Sequence, residues 1–190
     1  FNFAPVVDIN NNPKNPVINF RSFGDNKHNV AKKAGRYMHG MLDGGIIASI
    51  KHFPGHGDTD VDSHYDLPLL NHSRARLDSL EIFPFRELIN DGASGVMVAH
   101  MNIPSLDPTK NMPSSISKKV VTDLLRNELG FKGLIVTDAM DMKGVKKHFP
   151  NGGADVMAIE AGHDLLEISE NSNRAIDLVM KAIASGRIAQ

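Results

Sequence analysis

The chain has 190 residues, of which 41% are apolar and 23% charged, with a net charge of −1 and no cysteine. That is enough for one globular domain with a real core, and it excludes disulfides, thiolate catalysis and cysteine zinc sites. A charge near zero without a basic tract argues against a nucleic-acid partner, and no run approaches the ~20 apolar residues that cross a bilayer.

The chain opens at Phe1 without Met, signal peptide or charged leader, almost directly in an apolar run. It is therefore expected to begin within a longer gene product. Phe3 to Ile9 reads as a first strand, followed by an Asn/Pro-rich loop through Pro16. Asn29 to Leu42 has helical spacing and ends at Gly44-Gly45. Ile46 to Ile50 reads as a second strand, and a long Gly/Asp/His loop follows. Ser73 to Leu88 is expected as one helix with Ser73 as its N-cap. Gly95 to Ala99 reads as a third strand, Ser117 to Leu129 as a helix stopped by Gly130, and Leu134 to Thr137 as a fourth strand. Gly153 to Ala161 fits a short helix, Asp164 to Ile168 a short fifth strand, and Asn173 to Ala184 a last helix.

Strands apolar on both faces and alternating with helices predict an α/β fold with a helix-covered parallel sheet. Chemically capable residues follow several strand ends: Asp8, Lys51-His52, His100 and Asp138. A closed (β/α)8 barrel gathers chemistry from many strand ends, whereas an open sheet concentrates it at one switch point. The barrel is the expectation, with this chain supplying about the last five βα units and the N-terminal strands missing. The whole of 1–190 is then the C-terminal part of a single catalytic barrel. On its own it is expected to be unstable or to aggregate through two open sheet edges.

The densest cluster runs from Lys51 to His64 and holds three of the nine histidines. One reading is a solvated polar loop. A second is a metal site, either an EF-hand through Asp58, Asp60 and Asp62 or a zinc site through His52, His56 and His64. The EF-hand pattern fails, with Ser63 where the turn glycine belongs and Leu69 where the bidentate glutamate belongs. The zinc set sits on a Pro/Gly loop rather than on one helical face. A third reading is acid–base catalysis, because Asp62 two residues before His64 can charge and orient the imidazole. Asp138 at a strand end is equally readable as a functional carboxylate or as a helix N-cap. Dinucleotide, phosphate-loop and nucleophile-elbow patterns are absent.

Taken together, Asn2-Phe3-Ala4-Pro5-Val6-Val7-Asp8, Arg21-Ser22-Phe23-Gly24, Lys51-His52-Phe53-Pro54-Gly55-His56-Gly57-Asp58-Thr59, Asp62-Ser63-His64, Ala99-His100, Gly133 to Asp138 and Ala161-Gly162-His163-Asp164 resemble family 3 glycoside hydrolases. The likeness is to their bacterial β-N-acetylglucosaminidase branch in particular. The resemblance implies a retaining mechanism with Asp138 as nucleophile and His64, paired with Asp62, as acid and base. It also implies Arg21, Lys51 and His52 as sugar-binding groups, no metal, no cofactor and a carbohydrate substrate. His56 and Asp58 then shape the loop, while Asp8 and His100 either support the site or belong to it. A bacterial source leaves periplasm, cell envelope and cytoplasm open. The family's early Asp-Gln-Glu-Gly-Gly-type segment, whose acid grips the sugar, does not occur here and is expected in the missing N-terminal barrel segment. Rival readings are a phosphorylase using the same residues, a metal-dependent hydrolase and a non-catalytic carbohydrate-binding fragment.

Overall fold

The computed structural model describes residues 1–188. At its centre three parallel strands run in the order β1 (Ser49–Phe53), β2 (Gly95–Val98), β3 (Leu134–Thr137), with Ser49 opposite Gly95 and Val96 opposite Ile135. Ile50, Val96, Val98, Ile135 and Val136 expose no surface, as expected of strands covered on both faces. Full burial of such a side chain stabilises the fold by about 1.5–3 kcal/mol.

Helix α1 (Lys27–Asp43) precedes β1; α2 (Arg74–Ser79) and α3 (Phe83–Asn90) link β1 to β2. A π-helical segment, Lys119–Glu128, links β2 to β3. After β3 come α4 (Lys143–Lys146), α5 (Gly153–Ala161) and α6 (Ser172–Ala184). Asn26 caps α1 by accepting from the backbone of His28 and Asn29, and Val30, Ala34 and Met38 carry its buried face.

The expected first and fifth strands are replaced by isolated parallel bridges, Asn2 to Ala48 and Val6 to Lys51 on one side of β1, and Val136 to Leu165 beside β3. Pro5 has no N–H to give a ladder, and the run after Asp164 ends at Ile168, where φ is +44°. The segments lie where the alternating pattern puts them, without continuous pairing. The helix expected over Ser73 to Leu88 breaks in two. Ser73 does cap it, accepting from Arg76 N at 3.3 Å, but Pro84 falls in the first turn of α3. There its missing N–H costs nothing, whereas inside one long helix it would remove a bond. Among the described residues no helix is long and apolar enough to cross a membrane.

Candidate active site

The strand ends meet at a pocket of about 110 Å³ whose polar lining is Arg21, Lys51, His52, His56, Ser63, His64, Asp138 and Glu167, with Phe3, Val17 and Met97 beside them. Successive residues of a regular strand point to opposite faces, yet Lys51 and His52 both reach this pocket. The pairing of β1 with β2 slips between Ile50 and Phe53, and such an irregularity re-aims a side chain at a sheet's functional end.

Asp8 is the anchor beneath the pocket. It exposes no surface and accepts from His52 N at 3.2 Å, His52 Nδ1 at 2.7 Å and His56 N at 2.7 Å. Burial alone would raise its pKa; the electrostatic pull of the adjacent His52 and the hydrogen bonds from His52 and His56 outweigh burial and hold it below the ordinary value. Arg21 Nη2 lies 3.3 Å from His52 Nε2. A guanidinium only donates, so this contact leaves Nε2 as acceptor and puts the ring proton on Nδ1, facing Asp8. Lys51 is half-buried; burial and the Arg21 charge lower its pKa, against the pull of Asp138 and Glu167.

The 51–64 segment is not a solvated loop. His52, His56, Thr59 and Ser63 are each at most 5% exposed. His56 Nδ1 pairs with Thr59 Oγ1 at 2.6 Å, and Asn15 Nδ2 donates to His56 O at 2.7 Å. Burial, and then the neighbouring His52, push the His56 ring below its ordinary pKa. Gly57 is required by contact: a Cβ there would lie 1.8 Å from Ile9 O. Asp58 faces outward from the pocket, bonded to His72 Nε2 at 2.8 Å and Arg76 Nη2 at 3.1 Å. Asp58, His72 and Glu81 are the one group among the described residues whose potential metal-ligand atoms all lie within 4.8 Å of one another. Arg76 already joins both carboxylates there, reaching Glu81 Oε1 at 2.9 Å, so a cation of the protein's own bridges the two acids. The zinc set considered from sequence, His52, His56 and His64, does not form a ligand group.

Asp62 Oδ1 accepts from both His64 N at 2.9 Å and His64 Nδ1 at 2.7 Å. The two residues thus fold into one small ring that leaves His64 Nε2 free at the pocket. Burial acts to raise the Asp62 pKa, but the bonds from His64 prevail and lower it. This segment leans on α4. Gly144 N donates to Ser63 O at 3.2 Å, Lys147 Nζ bonds Asp66 at 2.9 Å, and Lys143 Nζ sits 5.7 Å from the Tyr65 ring centroid.

Asp138 follows β3 directly. Its backbone N–H donates to Val98 O at 3.0 Å, and its Oδ1 accepts from Ala139 N at 2.9 Å. It caps no helix: α4 begins five residues later, with Met142 at its N-cap position and no side-chain bond. Burial would raise its pKa; the neighbouring His52 and His100 imidazoles and the Ala139 bond lower it, so it is a carboxylate at neutral pH. His100 lies outside the pocket. Its Nε2 is 2.9 Å from Ala139 O and its Nδ1 2.6 Å from Ser115 Oγ. A carbonyl only accepts, so Nε2 carries the proton, and burial keeps the ring neutral. His100 is a brace for the turn that carries Asp138.

The whole chain, residues 1–190, matches the family described as the N-terminal domain of glycosyl hydrolase family 3. The chain belongs to this family. It is 41% identical over 174 residues to beta-hexosaminidase A of Pseudoalteromonas piscicida, covering 86% of this chain and 29% of that protein. Among solved structures, a family 3 beta-N-acetylglucosaminidase from Paenibacillus sp. is 46% identical with a TM-score of 0.96, over 100% of this chain and 36% of that one. A beta-glucoside phosphorylase, BglX, is 30% identical with a TM-score of 0.93, over 99% and 35%. The chain thus spans about a third of these proteins.

All six residues singled out from sequence, Arg21, Lys51, His52, Asp62, His64 and Asp138, belong to one pocket or directly contact a residue that lines it. Glu167 was missed, because the expected fifth strand, Asp164 to Ile168, placed it within a strand rather than at a strand end.

Proposed function

We propose that this chain carries the catalytic centre of a retaining β-N-acetylhexosaminidase that removes terminal β-linked N-acetylglucosamine from peptidoglycan fragments or related glycans. The observation that supports it best is that Asp138 and His64 line one pocket while Asp62 holds His64 Nδ1 at 2.7 Å. A carboxylate nucleophile and an imidazole with one free nitrogen, standing in for the usual second carboxyl group, can supply the two roles of a double displacement. In the first step an Asp138 oxygen bonds to the anomeric carbon as the bond to the leaving oxygen breaks. The proton on His64 Nε2 goes to that oxygen, and the imidazolium becomes neutral. In the second step His64 Nε2 takes a proton from water, the water oxygen bonds to the anomeric carbon, and Asp138 leaves as carboxylate. Asp62 holds the imidazole in place and stabilises its charged form. Arg21, Lys51 and His52 bind the sugar oxygens.

The fold that goes with this reading is a closed eight-stranded barrel, of which these residues form the later βα units. The segments around Asn2 and Leu165 pair on one side only, and strands from the rest of the protein close the barrel along them. The likeness to a phosphorylase supports a second reading, in which phosphate replaces water in the second step. A 5-fluoro N-acetylglucosaminyl fluoride is expected to label Asp138 in the full-length protein, as read by peptide mass spectrometry. A label on another carboxylate would overturn the nucleophile assignment. Product analysis in phosphate buffer separates the readings: free N-acetylglucosamine marks the hydrolase, the 1-phosphate the phosphorylase.

A further inference from the structure

Four carboxylates stand in or beside the pocket, and three are committed. Asp8 is saturated by His52 and His56, Asp62 is taken by His64, and Asp138 accepts from Ala139 and is the nucleophile of the proposed mechanism. Glu167 differs. Its carboxylate has no hydrogen-bond or ion-pair partner among the described residues, although it is half-buried and lines the pocket. Its backbone is firmly placed: Glu167 N donates to Thr137 Oγ1 at 2.9 Å, and Met140 N donates to Glu167 O at 2.8 Å. Thr137 and Met140 straddle Asp138 in the chain, so Glu167 is held in a fixed relation to it. Burial first, and the Asp138 charge second, raise the pKa of this carboxyl; the neighbouring Lys51 and His52 work the other way.

A half-buried carboxylate without a partner is costly unless a ligand brings donors to it. Of the remaining polar lining, Arg21 and Lys51 offer only donors, and His52 Nε2 is already taken by Arg21. Sugar hydroxyls donate as well as accept, so hydroxyls met by Arg21 and Lys51 need an acceptor for their own protons. From this geometry we infer that Glu167 is a specificity-determining residue whose carboxylate accepts a hydrogen bond from a ring or hydroxymethyl hydroxyl of the sugar seated over Asp138. The inference rests on the glycosidase reading above. It separates Glu167 from a mere counter-charge to Lys51, which would affect every sugar alike.

The test uses the full-length protein and an aryl β-N-acetylglucosaminide with its 3-, 4- and 6-deoxy analogues. Glu167→Ala is expected to lower kcat/KM on the parent glycoside by about ten- to a hundredfold, the usual worth of a hydrogen bond to a charged group. On one deoxy analogue the wild type should already show that loss, and the substitution should add nothing. On the other two it should cost as much as on the parent. Glu167→Gln, nearly the same shape and still an acceptor, should lose less and report on the site if the alanine variant folds poorly. Equal losses across all four substrates, or no loss in either variant, would overturn the assignment while wild-type turnover keeps the glycosidase reading intact. A wild type that turns over none of the four would overturn both.

Discussion

The two halves of the site are built differently. On the strand-end side, Asp8 and His52 are paired with 0% and 6% of their side chains exposed; on the loop side, the Asp62–His64 pair has the same 2.7 Å bond with 25% and 61% exposed. The first pair is locked by the sheet, by His56 and by the bend at the end of β1. The second is held by its own two-residue ring and by a shallow contact with α4. A group that binds and orients one sugar has to stay still. A group that must first give a proton to a leaving oxygen and then take one from water gains from an accessible, adjustable position.

The hardest test of that contrast is Asp138→Ala in the full-length protein. Turnover of an aryl β-N-acetylglucosaminide is expected to fall by at least ~10³-fold, as when a covalent nucleophile is removed; residual turnover within tenfold of wild type would remove Asp138 from the chemistry. On the loop side the effect should depend on the substrate. His64→Ala should cost ~10²–10⁴-fold with a disaccharide, whose alkoxide needs a proton, and far less with a nitrophenyl glycoside in the glycosylation step. Asp62→Ala should show the same bias with a milder loss. Equal losses on both leaving groups, with sugar binding intact, would mean that His64 only packs its loop.

Asp8→Ala probes the locked half. It leaves His52 N and His56 N buried without their acceptor, a cost of about 1–3 kcal/mol for each unsatisfied group. The denaturant midpoint should therefore drop, together with activity on both kinds of leaving group. An unchanged midpoint would show that the pair does not hold the site. A pH effect should follow from His163, whose ring burial pushes it from 6.5 down to about 4. Its folded form binds a proton less readily than its unfolded form, so its contribution to stability is complete above pH 6.5 and is lost as pH falls from 6.5 towards 4. In His163→Gln, the plot of denaturant midpoint against pH should be flatter over that window; an identical slope would assign the acid sensitivity elsewhere. The smallest expected effect is that of a chelator. The Asp58, His72 and Arg76 network braces the loop without an ion, so activity should survive exhaustive chelation, and a loss restored by zinc would reopen the metal reading.

Arg21 came only from the family resemblance; local pattern alone was enough for the parallel α/β class, the span of β3, the start and end of α5 and the choice of Lys51, His52, Asp62, His64 and Asp138 as candidates. These depend on short-range regularities: apolar runs, caps, and charged residues at strand ends. Tertiary structure decided what pattern cannot carry. Lys51 and His52 share the pocket where the pairing of β1 with β2 slips, a matter between two strands. Asp8 and His100 are supports because their partners lie 44 and 39 residues away in the chain, and no local pattern distinguishes a saturated polar group from a free one. Glu167 is the converse case. Its lack of a partner, which makes it a candidate for substrate contact, becomes visible only when every neighbouring donor has been placed in space.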